Sequence, residues 1–197
     1  MANVGGSSLA SQVMLLGREY YQTPFGEKYL VILPFFAHIT AVTLKRIISP
    51  RKPRPWTHTL TVTGFFAANF LVPKHYLIHR VFPQDPTPPI EAFGPSQMDF
   101  EFVKTGLAQW PIRNWIVYSA LAATIVVHMT EGMPILLRRA VKGAKTLSKR
   151  GRRLMAGAIV LPVLSGLLVM AREPLMTFPS TALRYQATFA KHPLFQF

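Results

Sequence analysis

The sequence predicts an all-α integral membrane protein: a helical bundle of four transmembrane helices, with short interfacial helices beside it. Three observations carry this expectation. Half of the 197 residues are hydrophobic and only 15% are charged, against about a quarter charged in soluble proteins. Four apolar runs, residues 29–48, 58–78, 115–137 and 154–171, approach the ~20 residues that a helix needs to cross the hydrocarbon core. The formal charge of +14 is gathered in the links between those runs, as in loops held on one side of a bilayer.

Residues 8–21 place Leu9, Val13, Leu16 and Tyr20 on one face at helical spacing. This stretch is too short to span and ends near Pro24, so the segment 1–28 is assigned to the interface. Residues 1–8 carry neither a cation nor an apolar core, so no secretory or transit sequence is expected there.

The first run, 29–48, holds Pro34 and His38 and is uncharged until Lys45 and Arg46. Next comes a stiff basic link with Arg51, Lys52 and Arg54 between prolines, and then Trp56 at the level of an aromatic belt. The second run, 58–78, has a face of small residues: Thr61, Thr63, Gly64, Ala67 and Ala68. Such a face suits close helix packing. Residues 80–102 read as a proline-rich loop holding Asp85, Glu91, Asp99 and Glu101, and 100–109 as a short surface helix stopped by Pro111. The third run contains His128, Glu131 and Pro134; the fourth contains Gly157, Pro162 and Gly166. Residues 172–197 form an interfacial tail in this reading.

Between the third and fourth runs, residues 136–154 carry Arg138, Arg139, Lys142, Lys145, Lys149, Arg150, Arg152 and Arg153 with no acid among them. Together with Arg51, Lys52 and Arg54 these are the expected contacts to membrane lipid or a protein partner. Four spans put both basic links on one face and both termini on the other. Basic clusters also suit nucleic acid, but cations flanking apolar runs match lipid head groups better, so no nucleic-acid partner is expected. The absence of cysteine excludes a disulfide framework, a thiolate metal site and a cysteine nucleophile. No nucleophile elbow, phosphate loop, paired-carboxylate arrangement or zinc motif occurs, so neither an enzyme nor a metal site is expected.

Histidine within a lipid-spanning run is costly and needs a reason. His38, His58 and His128 lie within reach of one depth on the side of the basic links. Two imidazoles from different helices are what a six-coordinate b-type haem requires, and Gly64 and Gly132 offer room beside them. The competing reading has each histidine bonded to a neighbouring hydroxyl such as Thr40, Thr59 or Thr130. No cofactor is the favoured expectation, with haem on His58 and His128, and His38 as a further candidate, the alternative. Glu131 is the one acid inside a run; pairing with a histidine or Arg139 is expected, ahead of a proton path or solute transport. His75 and His79, beside Lys74 and Arg80, are read as interfacial head-group contacts.

A faint repeat relates the two halves. Ser11-Gln12 leads to Gln22-Thr23-Pro24 and a span with His38; Ser96-Gln97 leads to Gln109-Trp110-Pro111 and a span with His128. The second copy is preceded by the run 58–78 and the first by nothing equivalent. Either the duplication is partial or a first helix is missing upstream.

The residues Ser7–Val13, Leu15-Leu16-Gly17-Arg18-Glu19-Tyr20-Tyr21-Gln22-Thr23, Leu33-Pro34-Phe35-Phe36-Ala37-His38, His58–Gly64 and His128–Gly132 together resemble the transmembrane domain of a fungal mitochondrial outer-membrane adaptor family. The resemblance covers roughly residues 5–171. It implies a non-catalytic anchor that recruits a bridge-like lipid-transfer protein and supports mitochondrial lipid homeostasis at organelle contact sites. Members of that family have five spans and a cytosolic N-terminal region with a proline motif, both of which exceed what this sequence contains. Their fold is also similar to the haem-bearing membrane anchor of succinate dehydrogenase, which is the source of the haem alternative.

Overall fold

Three of the four apolar runs form helices long and apolar enough to cross a membrane in the computed structural model of the chain, which describes residues 1–196. They are α2 (Gly26–Ile48), α5 (Pro111–Ala140) and α6 (Lys149–Arg172). The other helices are α1 (Ala2–Tyr21), α3 (59–81), α4 (Phe100–Gln109) and α7 (Pro179–Ala190), and no strand occurs among the described residues. The run predicted as the second span is α3. It is unbroken and of spanning length, but Asn69, Lys74, His75, His79 and Arg80 dilute its apolar character.

Proline sets the local winding of α2 and α3. A proline ring clashes with the carbonyl four residues earlier and leaves it without a donor. Wide π-helical turns at Gly26–Ile32, Ala67–Leu71 and Leu77–Val81 each end just ahead of a proline: Pro34, Pro73 and Pro83. Inserting a residue per turn opens the backbone where the ring needs space.

The bundle is antiparallel where it is best packed. Near one end, a Cβ added at Gly132 of α5 would lie 3.7 Å from Leu60 of α3. At the other end the Tyr118 hydroxyl of α5 meets His79 Nε2 of α3 at 3.2 Å. Between these contacts α3 runs beside about 20 Å of α5, at ~1.5 Å per residue. Helix α6 returns alongside α5, and the ion pair Arg152–Glu131 (3.0 Å) joins them near the basic link.

One expectation about an element needs correction, and three further segments pack on the bundle. The 100–109 helix does not lie on the surface: Phe102, Lys104, Thr105, Gly106 and Leu107 of α4 are all buried. After α6, α7 and a short 3-10 turn at Pro193–Phe195 pack on α4, so Tyr185, Phe189 and Phe195 join Ile78, Ile90, Phe93, Met98 and Phe102 in one core. Its packing follows from aromatic stacking: the Phe102 and Phe189 rings lie 4.5 Å apart and nearly parallel, with Phe195 and Trp110 against Phe189 at 5.2 and 5.6 Å. Gly106 is what lets the ring in, since a Cβ there would lie 2.6 Å from Phe189 Cζ.

The proline-rich stretch between α3 and α4 is a loop, as expected, and it is pinned to the rest of the fold. Arg184 Nε donates to Ile90 O (2.8 Å), the Tyr185 hydroxyl to Gln97 O (2.5 Å), and Lys191 pairs with Asp85. Finally, the start of α1 is packed on protein. Its first turn lies against the middle of α6, where Asn3 Nδ2 donates to Pro162 O at 2.8 Å. The helix then breaks at Gly5 and Gly6, Gly6 taking φ +67.

Candidate functional site

The cations predicted to bind lipid or partner gather at one end of the bundle. Because α3 and α5 are antiparallel, the start of α3 and the end of α5 share that end, which brings the two basic links to the same side. Arg51, Lys52 and Arg54 are exposed in the link before α3. Within it the Arg46 guanidinium stacks 4.2 Å from the Trp56 ring and donates to Arg54 O at 3.0 Å.

The second cluster is less of a loop than its sequence suggested. Arg138 and Arg139 belong to the last turn of α5, and Lys149, Arg150, Arg152 and Arg153 to the first turns of α6. Only Lys142 and Lys145 lie in the link itself. Ser148 sets the boundary, its hydroxyl accepting from Gly151 N at 3.1 Å as the N-cap of α6. All eleven candidate cations are exposed except Arg152, which is half-buried. Arg152 gives Nε and Nη2 to Glu131 Oε2 (3.2 and 3.0 Å), so Glu131 pairs with neither a histidine nor Arg139.

The structure brings together two of the three candidate histidines. The His38 and His128 rings lie 6.1 Å apart, edge to face. The Thr63 hydroxyl donates to Thr59 O at 2.8 Å, so towards His128 Nδ1, 3.2 Å away, it acts as acceptor. His58 stands apart: it is exposed, and its Nδ1 caps its own helix by accepting from Leu60 N at 3.2 Å.

Of the three candidates for haem, His38 and His128 therefore lie close to each other, and His58 caps its own helix. The room foreseen beside the glycines is taken by protein. The His128 ring itself covers Gly64, where a Cβ would meet Cε1 at 2.8 Å, and Leu60 covers Gly132.

At the opposite end, sequence reasoning missed a buried ionic clamp. Lys104, only 3% exposed, puts Nζ 2.6 Å from Glu101 Oε1, 3.6 Å from Glu173 Oε2 and 3.4 Å from Ser7 Oγ. Glu173 also accepts from Ser7 N through both oxygens, at 3.0 and 3.2 Å, and Glu101 accepts from Met176 N at 2.8 Å. These bonds lock α1, α4 and the end of α6 together. The Ser7 hydrogen bonds, helped by the Lys104 charge, hold the Glu173 carboxyl below the usual carboxylate range, although burial opposes the shift. Gly6 is required here twice over, by its φ and because a Cβ would lie 2.6 Å from Glu173 Oε1. A lysine on the otherwise buried face of Phe102 and Leu107 was the available sequence signal.

His75 and His79 are not simply head-group contacts. Their rings stack 4.3 Å apart, and His79 is half-buried between the Tyr118 hydroxyl and the Phe102 ring. Among the described residues no group of three or more His, Asp or Glu side chains is placed to hold a metal ion.

A family profile described as the MDM10-complementing protein 1 transmembrane domain matches residues 70–175. No curated protein and no solved structure gives a significant match.

Proposed function

We propose, because the chain belongs to the family of the MDM10-complementing protein 1 transmembrane domain, that it is a non-catalytic adaptor of the mitochondrial outer membrane. Its role is in mitochondrial lipid homeostasis at organelle contact sites, through anionic lipid and a lipid-transfer or contact-site protein. The observation that carries this reading is the family match over a multi-pass bundle whose cations crowd one end. Arg51, Lys52 and Arg54 with Arg138 to Arg153 form the cytosolic face that partner and lipid would meet.

In this reading α3 is the fourth span. A helix packed antiparallel along α5 for about 20 Å is carried through the same hydrocarbon layer, and its polar residues find partners there: His79 meets Tyr118 of α5 and Arg80 meets Glu27 of α2. Four spans keep both basic links on the cytosolic side.

The experiment is topology in intact mitochondria. A protease site inserted at Lys145 is cut from outside without permeabilisation, and the fragment stays in the outer membrane fraction. Protection of that site until the outer membrane is ruptured overturns the adaptor reading. With the topology in hand, neutralising Lys142, Lys145, Lys149 and Arg150 to Gln lowers recruitment of the partner and leaves membrane insertion unchanged.

The His38–His128 juxtaposition favours a second reading, a b-type cytochrome anchor. His38 and His128 would hold the haem through their imidazoles, with Thr63 beside His128, and the haem would supply one-electron chemistry. A Soret band in the purified protein, lost in His128→Ala and kept in His58→Ala, carries that reading; its absence from haem-supplemented preparations ends it.

A further inference from the structure

The end of the bundle away from the basic links holds a cavity that neither the clamp nor the histidine pair explains. It measures about 80 Å³ and is lined by Arg18 and Gln22 of α1, His79 and Arg80 of α3, and Gln84, over a floor of Pro83, Phe93 and Met98. One water needs only ~10–15 Å³ of such space, so the volume suits a tetrahedral oxyanion. The polar lining consists of two guanidiniums, two carboxamides and an imidazole, with no carboxylate among them.

Arg18, Arg80 and His79 are each held in place by a neighbour. Arg18 donates to Met98 O. Arg80 faces the cavity on one side and Glu27 on the other, bonding Oε1 at 2.9 Å and Oε2 at 2.5 Å. His79 is fixed through Nε2 by the Tyr118 hydroxyl, and Gln84 stands exposed at the mouth. The lining itself presents two guanidiniums and no carboxylate. The planar guanidinium fork is the side chain best matched to phosphate oxygens.

The level of the pocket completes the case. Arg18 and Gln22 come just before α2 enters the apolar layer at Gly26, and Arg80 and Gln84 come just as α3 leaves it. That is the depth of lipid head groups. We propose that this cavity is a phosphate-binding site, its phosphate borne by a glycerophospholipid head group or supplied free in solution. It lies on the face opposite the proposed cytosolic one and is independent of the adaptor reading.

The test uses the full chain, reconstituted in nanodiscs of phosphatidylcholine doped with phosphatidylglycerol. Native mass spectrometry after release into detergent counts the retained phospholipid. Gln84→Glu puts a carboxylate at the exposed mouth without removing an interior contact, and Arg18→Gln removes a guanidinium. The expected result is one phospholipid retained by the wild type and by Lys45→Gln, a change at the opposite end of the bundle. Retention falls about tenfold in Gln84→Glu at an unchanged melting temperature, the effect of one carboxylate set against the bound phosphate.

A parallel arm titrates inorganic phosphate against melting temperature, with sodium chloride matched for ionic strength. Saturable stabilisation by phosphate, weakened in Gln84→Glu, without retained lipid assigns the same pocket to the free ion. Equal lipid retention in wild type, Gln84→Glu and Arg18→Gln, together with no specific phosphate stabilisation, overturns the site.

Discussion

Lys104→Met tests whether the buried clamp holds the fold together at the end away from the basic links. Methionine keeps the length and apolar stem of lysine and removes only the ammonium. What it leaves behind is Glu101 and Glu173, whose oxygens now converge on Lys104 Nζ from 2.6 and 3.6 Å. Breaking a buried pair while one partner stays charged costs ~3–5 kcal/mol. The two carboxylates keep 14% and 27% of their surface exposed, so water screens part of the damage, and about 2–3 kcal/mol is the better expectation. For a chain of this size that corresponds to a fall in melting temperature of roughly 5–10 °C.

The assay is thermal unfolding of detergent-purified protein followed by tryptophan fluorescence. Trp110 and Trp115 flank the α4–α5 corner and report the region directly. The variant carrying Lys104→Met with Glu101→Gln and Glu173→Gln removes the stranded charge and recovers most of the loss. If Lys104→Met melts within about 1 °C of wild type, the clamp carries no weight in the fold. If the triple variant is no more stable than the single one, the stranded-carboxylate reasoning fails.

Other perturbations follow from the same contacts. Gly106→Ala drives a methyl to within 2.6 Å of a Phe189 ring that is fully buried and boxed in by Phe102, Phe195 and Trp110. Overpacking of ~1–3 kcal/mol exceeds the ~1 kcal/mol that alanine gains over glycine in a helix, so the variant melts lower; Gly157→Ala, with nothing within 4 Å, melts higher. The Glu173 carboxyl is depressed in the fold, so its contribution is complete above the ordinary carboxylate value of about 4.3. That contribution is lost as pH falls through the lower folded value. Melting curves of wild type therefore drop more steeply below about pH 4.5 than those of Glu173→Gln, and parallel curves would contradict the hydrogen-bonded carboxylate. Gly64→Ala displaces the His128 ring, so in a haem-loaded preparation it shifts the Soret band, whereas an unchanged band would place the ligand elsewhere.

How much of this was legible in the sequence depended on which solvent each residue faces. Residues 29–48, 115–137 and 154–171 read correctly because a lipid-facing helix needs only an uninterrupted apolar surface, and Leu33, Phe36, Leu44, Ile159 and Leu161 remain exposed to it. The π turns ahead of Pro34, Pro73 and Pro83 follow from the same local sterics, though their position could not be fixed beforehand. The α4–α7 core was missed because the two helices are far apart in sequence and each alone looks amphipathic and short. Only their pairing turns Phe102 and Phe189 into a buried stack. Lys104, Glu101 and Glu173 were missed for a similar reason: each is an ordinary surface residue until the Gly5–Gly6 break lets α1 bring Ser7 to them. The histidines were half legible, since depth along a helix can be counted but rotation about its axis decides whether His38 or His58 turns towards His128.

The placement of the cations at α6 argues that they answer to something outside the chain. A helix N-terminus carries about half a positive charge, and each cation in its first turn costs ~0.3–1 kcal/mol at low ionic strength. Helix α6 begins with Lys149, Arg150, Arg152 and Arg153 and has no acid in its first turn. Only Arg152 has a carboxylate to offset it, in Glu131. The same cations on the last turn of α5, as with Arg138 and Arg139, suit the dipole, so a sequence optimised for stability alone would shift the charge to that side. Lys149, Arg150 and Arg153 instead stand exposed next to Lys142 and Lys145. An anionic surface or partner resolves the repulsion that the fold leaves standing. Charge reversal at Arg150 and Arg153 to Glu is accordingly expected to raise the melting temperature of the purified chain in neutral detergent. The same change should lower its affinity for vesicles containing anionic lipid, and a loss of both stability and affinity would show that the cations serve the fold.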